Sequence, residues 1–547
     1  MSKIIITGGV AGGATAAARA KRLNEDAEII LVERGEYISF ANCGLPYYIG
    51  GSIKNRDDLL VTTKEDFSLR YNIDIRNFSE VTSINRESKT VRILDVQTGK
   101  AYDESYDKLI LSPGAEPIRL PVPGIELDNI FTLRNVPDTD AIKTFVDTKN
   151  PAAAVVVGGG FIGLEMAENL AHRGIKITVV ELADQVMTTL DADMASMIHA
   201  YLIEKGVDLE LGNGVTEFSK EGNRLCVQTS SGKRITCDFV IMSAGIKPEN
   251  RLAVDAGLET GHRGGIVVDA LMKTSDSDIF AVGDAVETTD FISGTPVMLP
   301  LAGPANKQGR IAADNASGRN SVFKGTIGTA VAKVFDMTVA STGHSEKSLT
   351  KLNIAYVKSY TSSGAHASYY PGSETMNIKL LFSKDTGAVL GAQIIGGKGV
   401  DKRIDVIATA IKGRLTVYDL EELELAYAPP YSSAKDPVNI AGFVAGNILK
   451  GDVEMVYPED IQALDLNENI ILDLRTPIEL KLSGKIVNSI NIPVDELRTR
   501  LSELDKTKTF ILYCAIGLRG YIAWRILSQK GFKVKNLSGG FLVYQFS

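Results

Sequence analysis

Residues 153–163 read AAVVVGGGFIG. Five small apolar residues in a row predict a buried parallel strand, and the glycines after them predict a tight turn into a helix. Gly158 permits the turn, Gly160 lets the backbone approach a pyrophosphate at the helix N-terminus, and Gly163 lets helix and strand pack closely. A helix over about Leu164 to Arg173, a strand over Lys176 to Val180 and an acid at Glu181 complete a dinucleotide-binding unit. Glu181 is placed to accept hydrogen bonds from the adenosine ribose hydroxyls and to repel a 2′-phosphate, which argues for NADH over NADPH. The competing reading, a purely structural glycine-rich turn, has to explain strand, helix and acid all in register.

The same pattern opens the chain as Ile4-Ile5-Ile6-Thr7-Gly8-Gly9-Val10-Ala11-Gly12-Gly13, with an acid at Glu33. Its register is ambiguous. Counting from Gly8 puts Val10 at the middle glycine position, whereas counting from Thr7 loses the first glycine but keeps Gly9 and Gly12. A second unit calls for a second nucleotide, and FAD is the usual companion of NADH. Two other stretches support it: Leu111-Ser112-Pro113-Gly114-Ala115 after an apolar strand, and IFAVGDA (279–285), where Gly283 and Asp284 end another strand. Such an acid commonly hydrogen-bonds a ribityl chain; alternatively it caps a turn.

The chain has 547 residues, too many for one core, so three to five domains are expected. A formal net charge of -8, with both signs interspersed, provides no footprint for nucleic acid or an anionic membrane. Lys3 to Thr7 already reads as a strand and no apolar run is long enough to span a bilayer, so a cytoplasmic protein without a membrane partner is expected. The four cysteines are too scattered for a disulfide framework and none has zinc-ligand spacing.

The order of the first unit, SFANCGLPYY (39–48), the second unit, IFAVGDA and YAPPYSSAKDPVN (427–439) resembles the coenzyme A disulfide reductases within the pyridine nucleotide-disulfide oxidoreductases, over roughly residues 1–447. That resemblance implies a split FAD domain (1–115 and 246–320), an NAD(P)H domain inserted between its halves (116–245) and an α+β dimerisation domain (321–447) in a homodimer. Flavin disulfide reductases usually carry two cysteines on the stretch 39–48. Here Cys43 is alone, and the nearest other cysteine in sequence is Cys226. Asn42 is expected to cap the helix that holds Pro46 in its first turn, so that helix N–H groups lower the Cys43 pKa. A buried structural cysteine is the alternative. In the resembled family the lone cysteine pairs with the thiol of coenzyme A itself. The resemblance also assigns Ser39 and Asn42 to the thiol's surroundings, and Tyr369 in HASYYPG and Tyr427 to a site shared with the other subunit. Arg19 and Arg22, three apart on the first helix, are candidates for the coenzyme A phosphates. The competing branch, the NADH oxidases and peroxidases with a Cys43 sulfenic acid, usually carries a histidine in the glycine-rich turn, where this chain has Ala11.

After GNILKGD (446–452) a further α/β domain is expected over 453–547. It has a strand near Ile470 to Leu474, INIP at 490–493, and a strand Thr509 to Tyr513 leading into Cys514-Ala515-Ile516-Gly517-Leu518-Arg519-Gly520 and a helix from about Tyr521. A loop of this kind turns successive N–H groups toward the sulfur and stabilises a thiolate or persulfide. With ILDLRTP (471–477) and NLSGGF (536–541), it resembles a rhodanese domain, although Gly484-Lys485-Ile486 stands where such domains often have Gly-His-Ile. The two resemblances together imply an NADH-driven flavoprotein acting on persulfides, polysulfides or coenzyme A disulfide, with Cys514 as sulfur carrier and Arg519 beside it. An alternative makes the tail a module that docks a sulfur-carrier partner.

Overall fold

Ile4, Ile5 and Ile6 are all buried, because the strand Lys3–Thr7 is the middle of a parallel sheet covered on both faces. The structure, a computed structural model describing residues 2–547, divides into two units. The first takes the chain up to Val186 together with Leu202–Gly328, and the second takes Met187–Tyr201 together with Thr329–Ser547. Among the described residues no helix is long and apolar enough to cross a membrane.

Two five-stranded parallel sheets are the largest of the first unit, which also holds smaller sheets of two and three strands. One runs in the order Ile279–Ala281, Lys108–Leu111, Lys3–Thr7, Glu28–Val32, Asp74–Arg76. The other runs Asp208–Glu210, Lys176–Val180, Ala153–Val157, Phe239–Met242, Ile130–Thr132. The first sheet is finished by a strand that follows the whole of the second in sequence. Ala115–Pro117 leaving it and Ile246–Pro248 returning to it pair antiparallel. The helix Ala11–Leu23 packs on Ala302–Ala316 so closely that a Cβ on Gly309 would lie 2.3 Å from the Gly12 carbonyl oxygen.

The second unit holds a five-stranded antiparallel sheet, ordered Ala330–Val334, Met337–Gly343, Val389–Gly396, Thr375–Phe382, Val357–Gly364. It also holds a five-stranded parallel sheet ordered Met455–Val456, Lys533–Leu537, Thr509–Tyr513, Asn469–Asp473, Ile490–Asn491. One segment departs from the sequence expectation. Met187–Tyr201, expected within 116–245, groups with the second unit because its acids anchor there. Asp191 N–H donates to Gln393 Oε1 at 2.9 Å and its carboxylate accepts from Gln393 Nε2 at 2.6 Å.

The same acids surround a fully buried ammonium. Lys379 Nζ lies 3.0 Å from Asp191 and 2.9 Å from Asp193, and also pairs with Glu346. Burial alone lowers the Lys379 pKa, but the three carboxylates outweigh it and the net direction is up. Burial likewise pushes Glu346 up, and Lys379 with Lys358 brings it below the ordinary range. A carboxylate held down in this way contributes stability above the ordinary carboxylate pKa, which is lost as pH falls through the depressed value. Lys379→Met reverses the sign: the uncompensated acids are pushed up, and the folded state then holds more protons than the unfolded one. The variant is expected to lose about 3–5 kcal/mol near pH 7 and less near about pH 5. Thermal midpoints at the two pH values check this, and an equal loss at both would contradict it.

Candidate functional site

In the first unit the two glycine-rich turns match contact for contact. Gly8 and Gly158 have φ +87° and +108°, and a Cβ on either would lie 2.1 Å from Ser112 O or 2.2 Å from Ser243 O. A Cβ on Gly13 would lie 1.8 Å from Gly8 O, and one on Gly163 1.9 Å from Gly158 O, so helix and strand meet only because neither residue has a side chain. Glu33 Oε2 accepts the Gly9 N–H at 2.8 Å; Glu181 Oε2 accepts the Gly159 N–H at 2.6 Å. The N-terminal register therefore counts from Gly8, with Val10 in the place of Gly160. At Gly160 itself a Cβ would meet nothing within 4 Å, leaving the backbone open to a ligand. The helix begins at Phe161 and ends at Ala171, earlier than the sequence reading at both ends.

A cleft of about 350 Å³ opens beside the first turn. Gly8, Gly12, Glu33, Ser112, Gly114, Gly283 and Asp284 all line it. Thr7 Oγ1, on its wall, is buried without a partner. Asp284 has no side-chain partner among the described residues, and burial pushes its carboxyl up against the pull of Arg134. It does not cap a turn, since Val282 holds the capping position of Gly283–Ala285. Orphaned polar groups beside a glycine-lined, anion-ready turn fit a dinucleotide with a hydroxylated chain, as FAD is.

Cys43 is exposed and free, one residue after Asn42 on the cleft wall. Two expectations about it are corrected. Asn42 does not cap a helix through its side chain: it opens the 3-10 turn Asn42–Gly44, and the helix proper is Leu45–Gly50 with Pro46 in its first turn. The Cys43 pKa is raised, first by desolvation and then by Glu165 and Asp284, where a lowered value was expected. A six-residue helix and a 3-10 turn provide too little aligned dipole to offset two carboxylates. Ser39, four residues before the thiol, is held at φ +47°, donating its N–H to Gly9 O at 2.8 Å. The helix Leu45–Gly50 lies against Phe161–Ala171. Arg173 Nη1 donates to Ile49 O at 3.0 Å, and a Cβ on Gly50 would strike Asn169. That packing brings the thiol stretch, built on the first nucleotide unit, against the helix that opens the second. Cys226 and Cys237 are buried elsewhere in the unit and free.

Arg19 is committed to the fold: its Nε donates to Asp314 Oδ1 at 2.7 Å. Arg22 is exposed, with its guanidinium over the Tyr71 ring. In the second unit Tyr369 and Tyr427 are exposed, and their hydroxyls are hydrogen-bonded at 2.7 Å. The bond to Tyr427 raises the Tyr369 pKa, and either hydroxyl can be the donor.

Cys514 is buried at the end of the strand Thr509–Tyr513, and the helix Leu518–Ser528 starts three residues sooner than expected. One backbone N–H, that of Gly517, reaches its Sγ at 3.2 Å, where several were expected. Arg519 faces the same sulfur and pairs through both terminal nitrogens with Glu479, at 2.8 and 2.5 Å. Phe541 N–H and Leu542 N–H, after Gly539-Gly540, hold the carbonyls of Cys514 and Ala515 from below. The Gly484-Lys485-Ile486 segment is anchored by Arg475 Nη2 on Gly484 O and by the Ile486 N–H on the Tyr513 hydroxyl.

Residues 2–309 match the pyridine nucleotide-disulphide oxidoreductases, 329–437 the dimerisation domain of the same family, and 458–546 the rhodanese-like domains. The chain belongs to the pyridine nucleotide-disulphide oxidoreductases. Among them it is 37% identical to a coenzyme A disulfide reductase of Staphylococcus haemolyticus over 449 residues, covering 82% of this chain and 100% of the relative. Two solved structures span nearly everything. Reduced CoADR-RHD of Bacillus anthracis is 53% identical with a TM-score of 0.98, covering 100% of this chain and 98% of that one. An NAD-dependent persulfide reductase from A. fulgidus is 38% identical with a TM-score of 0.93, covering 99% and 100%. The family implies FAD and a pyridine nucleotide for the two turns.

Within this oxidoreductase, sequence reasoning missed Glu165. It lies in the helix Phe161–Ala171, accepting from the Tyr47 hydroxyl at 3.5 Å, and desolvation with Glu168 pushes its pKa up to about 7. The signal was available: two glutamates three apart in a helix whose other residues, Asn169 aside, are apolar or glycine. Glu165 ionises near neutrality and opposes the Cys43 thiolate. Glu165→Gln is therefore expected to move the midpoint of Cys43 alkylation in the reduced holoenzyme to lower pH. An unmoved midpoint would remove Glu165 from the thiol's electrostatics.

Proposed function

We propose that the chain is an NADH-driven, FAD-dependent reductase of persulfide, polysulfide and coenzyme A disulfide sulfur, working as a cytoplasmic homodimer. The observation that carries this reading is a lone, exposed thiol beside the flavin cleft, in a chain that continues into a second cysteine loop of rhodanese type. No other cysteine of the first unit is exposed, so a Cys43 disulfide calls for a thiol from outside it. The named relatives support coenzyme A as that thiol.

FAD supplies the passage of electrons from NADH to the thiol site. Cys43, as thiolate, attacks the S–S bond of the substrate, and the cycle passes through a Cys43–coenzyme A mixed disulfide. Ser39 and Asn42 hold the sulfur's surroundings, and Arg22 is the exposed cation for a coenzyme A phosphate; Arg19, tied to Asp314, is a weaker one. Tyr427 of the second subunit gives its proton to the departing thiolate, with Tyr369 donating to it in turn, which their mutual hydrogen bond supports. Glu181 takes NADH in preference to NADPH, since its carboxylate, already fixed by Gly159 and Ala183 N–H groups, repels a 2′-phosphate. Cys514 accepts sulfane sulfur, and the pantetheine arm of coenzyme A carries it to Cys43. Ala11 in the first turn supports this reading over a peroxidase, which needs a group there to manage protons on a peroxide.

The test is Cys43→Ser. The variant is expected to keep its flavin and the reduction of that flavin by NADH, because neither turn uses the thiol, while turnover of coenzyme A disulfide and persulfides falls to background. Persulfide reduction near the parent rate would overturn the proposal.

A further inference from the structure

The entrance to Cys514 has its charge cancelled. Arg519 is the only ionisable side chain besides the cysteine in the loop 514–519, and both of its terminal nitrogens are spent on Glu479. Glu479 cannot swing away cheaply, because its Oε2 also accepts from Thr476 N at 2.9 Å and Thr476 Oγ1 at 3.0 Å in a capping box at the start of the helix Pro477–Ser483. The Arg519 hydrogen bonds, outweighing burial, bring the Glu479 carboxyl down to about 2, so the pair is ionised and net neutral at any working pH.

Four other charged side chains lie on the neighbouring segments. Arg475 and Asp473 are fully buried and paired with each other. Lys481 lies two residues from Glu479 on the same helix, a spacing that turns it to another face. The Lys485 ammonium is drawn to Ser489 O at 3.4 Å.

What the entrance offers instead is hydrocarbon. Leu518 and Ile522, four apart on one helix, are 64% and 40% exposed, and Ile478 and Leu482, four apart on the other, 70% and 83%. The Glu479–Arg519 pair ties these two helices together, so both apolar pairs flank it. Ile516, within the loop itself, is also exposed.

We infer that Glu479 is a specificity-determining residue that sets the sulfur donor of Cys514: a persulfide on an uncharged, apolar thiol carrier, and not an inorganic dianion such as thiosulfate. The inference rests on the proposed role of Cys514 as sulfane-sulfur acceptor and deepens it. In the transfer the Cys514 thiolate attacks the outer sulfur of R–S–SH. A new S–S bond forms at Sγ, the donor's S–S bond breaks, and its electron pair leaves on R–S⁻, with no net oxidation. The Gly517 N–H and the Arg519 guanidinium face that sulfur, and the single positive charge they offer is balanced by Glu479. Thiosulfate would bring two negative charges and release sulfite with two, and Arg519, the cation that faces the sulfur, is already compensated by Glu479.

The experiment uses full-length protein carrying Cys43→Ser, so that loaded sulfur is not drained by reduction, and follows by mass spectrometry the addition of one sulfur atom to Cys514. The donors are N-acetylcysteamine persulfide, which is uncharged on its carrier, and sodium thiosulfate. The parent sequence at 479 is expected to load from the organic persulfide and at least about tenfold more slowly from thiosulfate. Glu479→Gln keeps the capping box and frees Arg519. It is expected to raise thiosulfate loading about tenfold while leaving persulfide loading little changed. Ile516→Arg, an exposed position that tolerates the change without touching the cap, is expected to act in the same direction. Equal loading from both donors in the parent, or no gain with thiosulfate in either variant, overturns the inference and leaves Cys514 an acceptor. Loading from neither donor in any variant overturns the acceptor role itself and the inference with it.

Discussion

A carboxylate at the end of each second strand, bonded to a backbone N–H in the glycine turn beside it, sets the geometry on which the first unit depends. Glu33 holds Gly9 and Gly35, and Glu181 holds Gly159 and Ala183. A charged acceptor on a backbone N–H is worth about 1.5–3 kcal/mol, enough to fix which way each turn leaves its strand. Each turn then aims the start of a helix at the carboxyl end of its sheet, where a nucleotide's phosphates are stabilised. The helix Leu45–Gly50 rests on the second of these helices, so a packing contact that joins the two nucleotide units also fixes Cys43 near both.

The two cysteines sit in different surroundings. Around Cys43 the protein supplies desolvation and two carboxylates, Glu165 and Asp284, all of which disfavour a thiolate. In the proposed cycle its nucleophilicity would have to come from what binds in the cleft. Cys514 carries its own support, the Gly517 N–H and the Arg519 guanidinium, within six residues of loop.

Local patterns were legible in the sequence and long-range choices of partner were not. Gly158, Gly160 and Gly163 follow from spacing alone because the turn chemistry is contained in six residues. Val10 left the first register open, and it was resolved by contacts of Gly13 with the Gly8 carbonyl and of Glu33 with Gly9, neither of which spacing reveals. The strand Thr509–Tyr513 was read with its observed ends, while the helices after both cysteines began elsewhere, since 3-10 turns and early helix starts are set by tertiary fit. Arg19 looked free for phosphate until Asp314, 295 residues away, was seen to hold it. Glu165, Lys379 and Glu479 each act through partners distant in sequence, and the segment Met187–Tyr201 changes unit for the same reason.

In the proposed cycle the thiol partner of Cys43 is coenzyme A. Intact-mass and peptide mass spectrometry of the protein purified without reductant tests it most directly. A reductant-labile adduct on Cys43 with the mass of coenzyme A is expected. An unmodified thiol, or oxygen addition on Cys43 with no coenzyme A in any preparation, would contradict it and place the chain with the enzymes that work through a sulfenic acid.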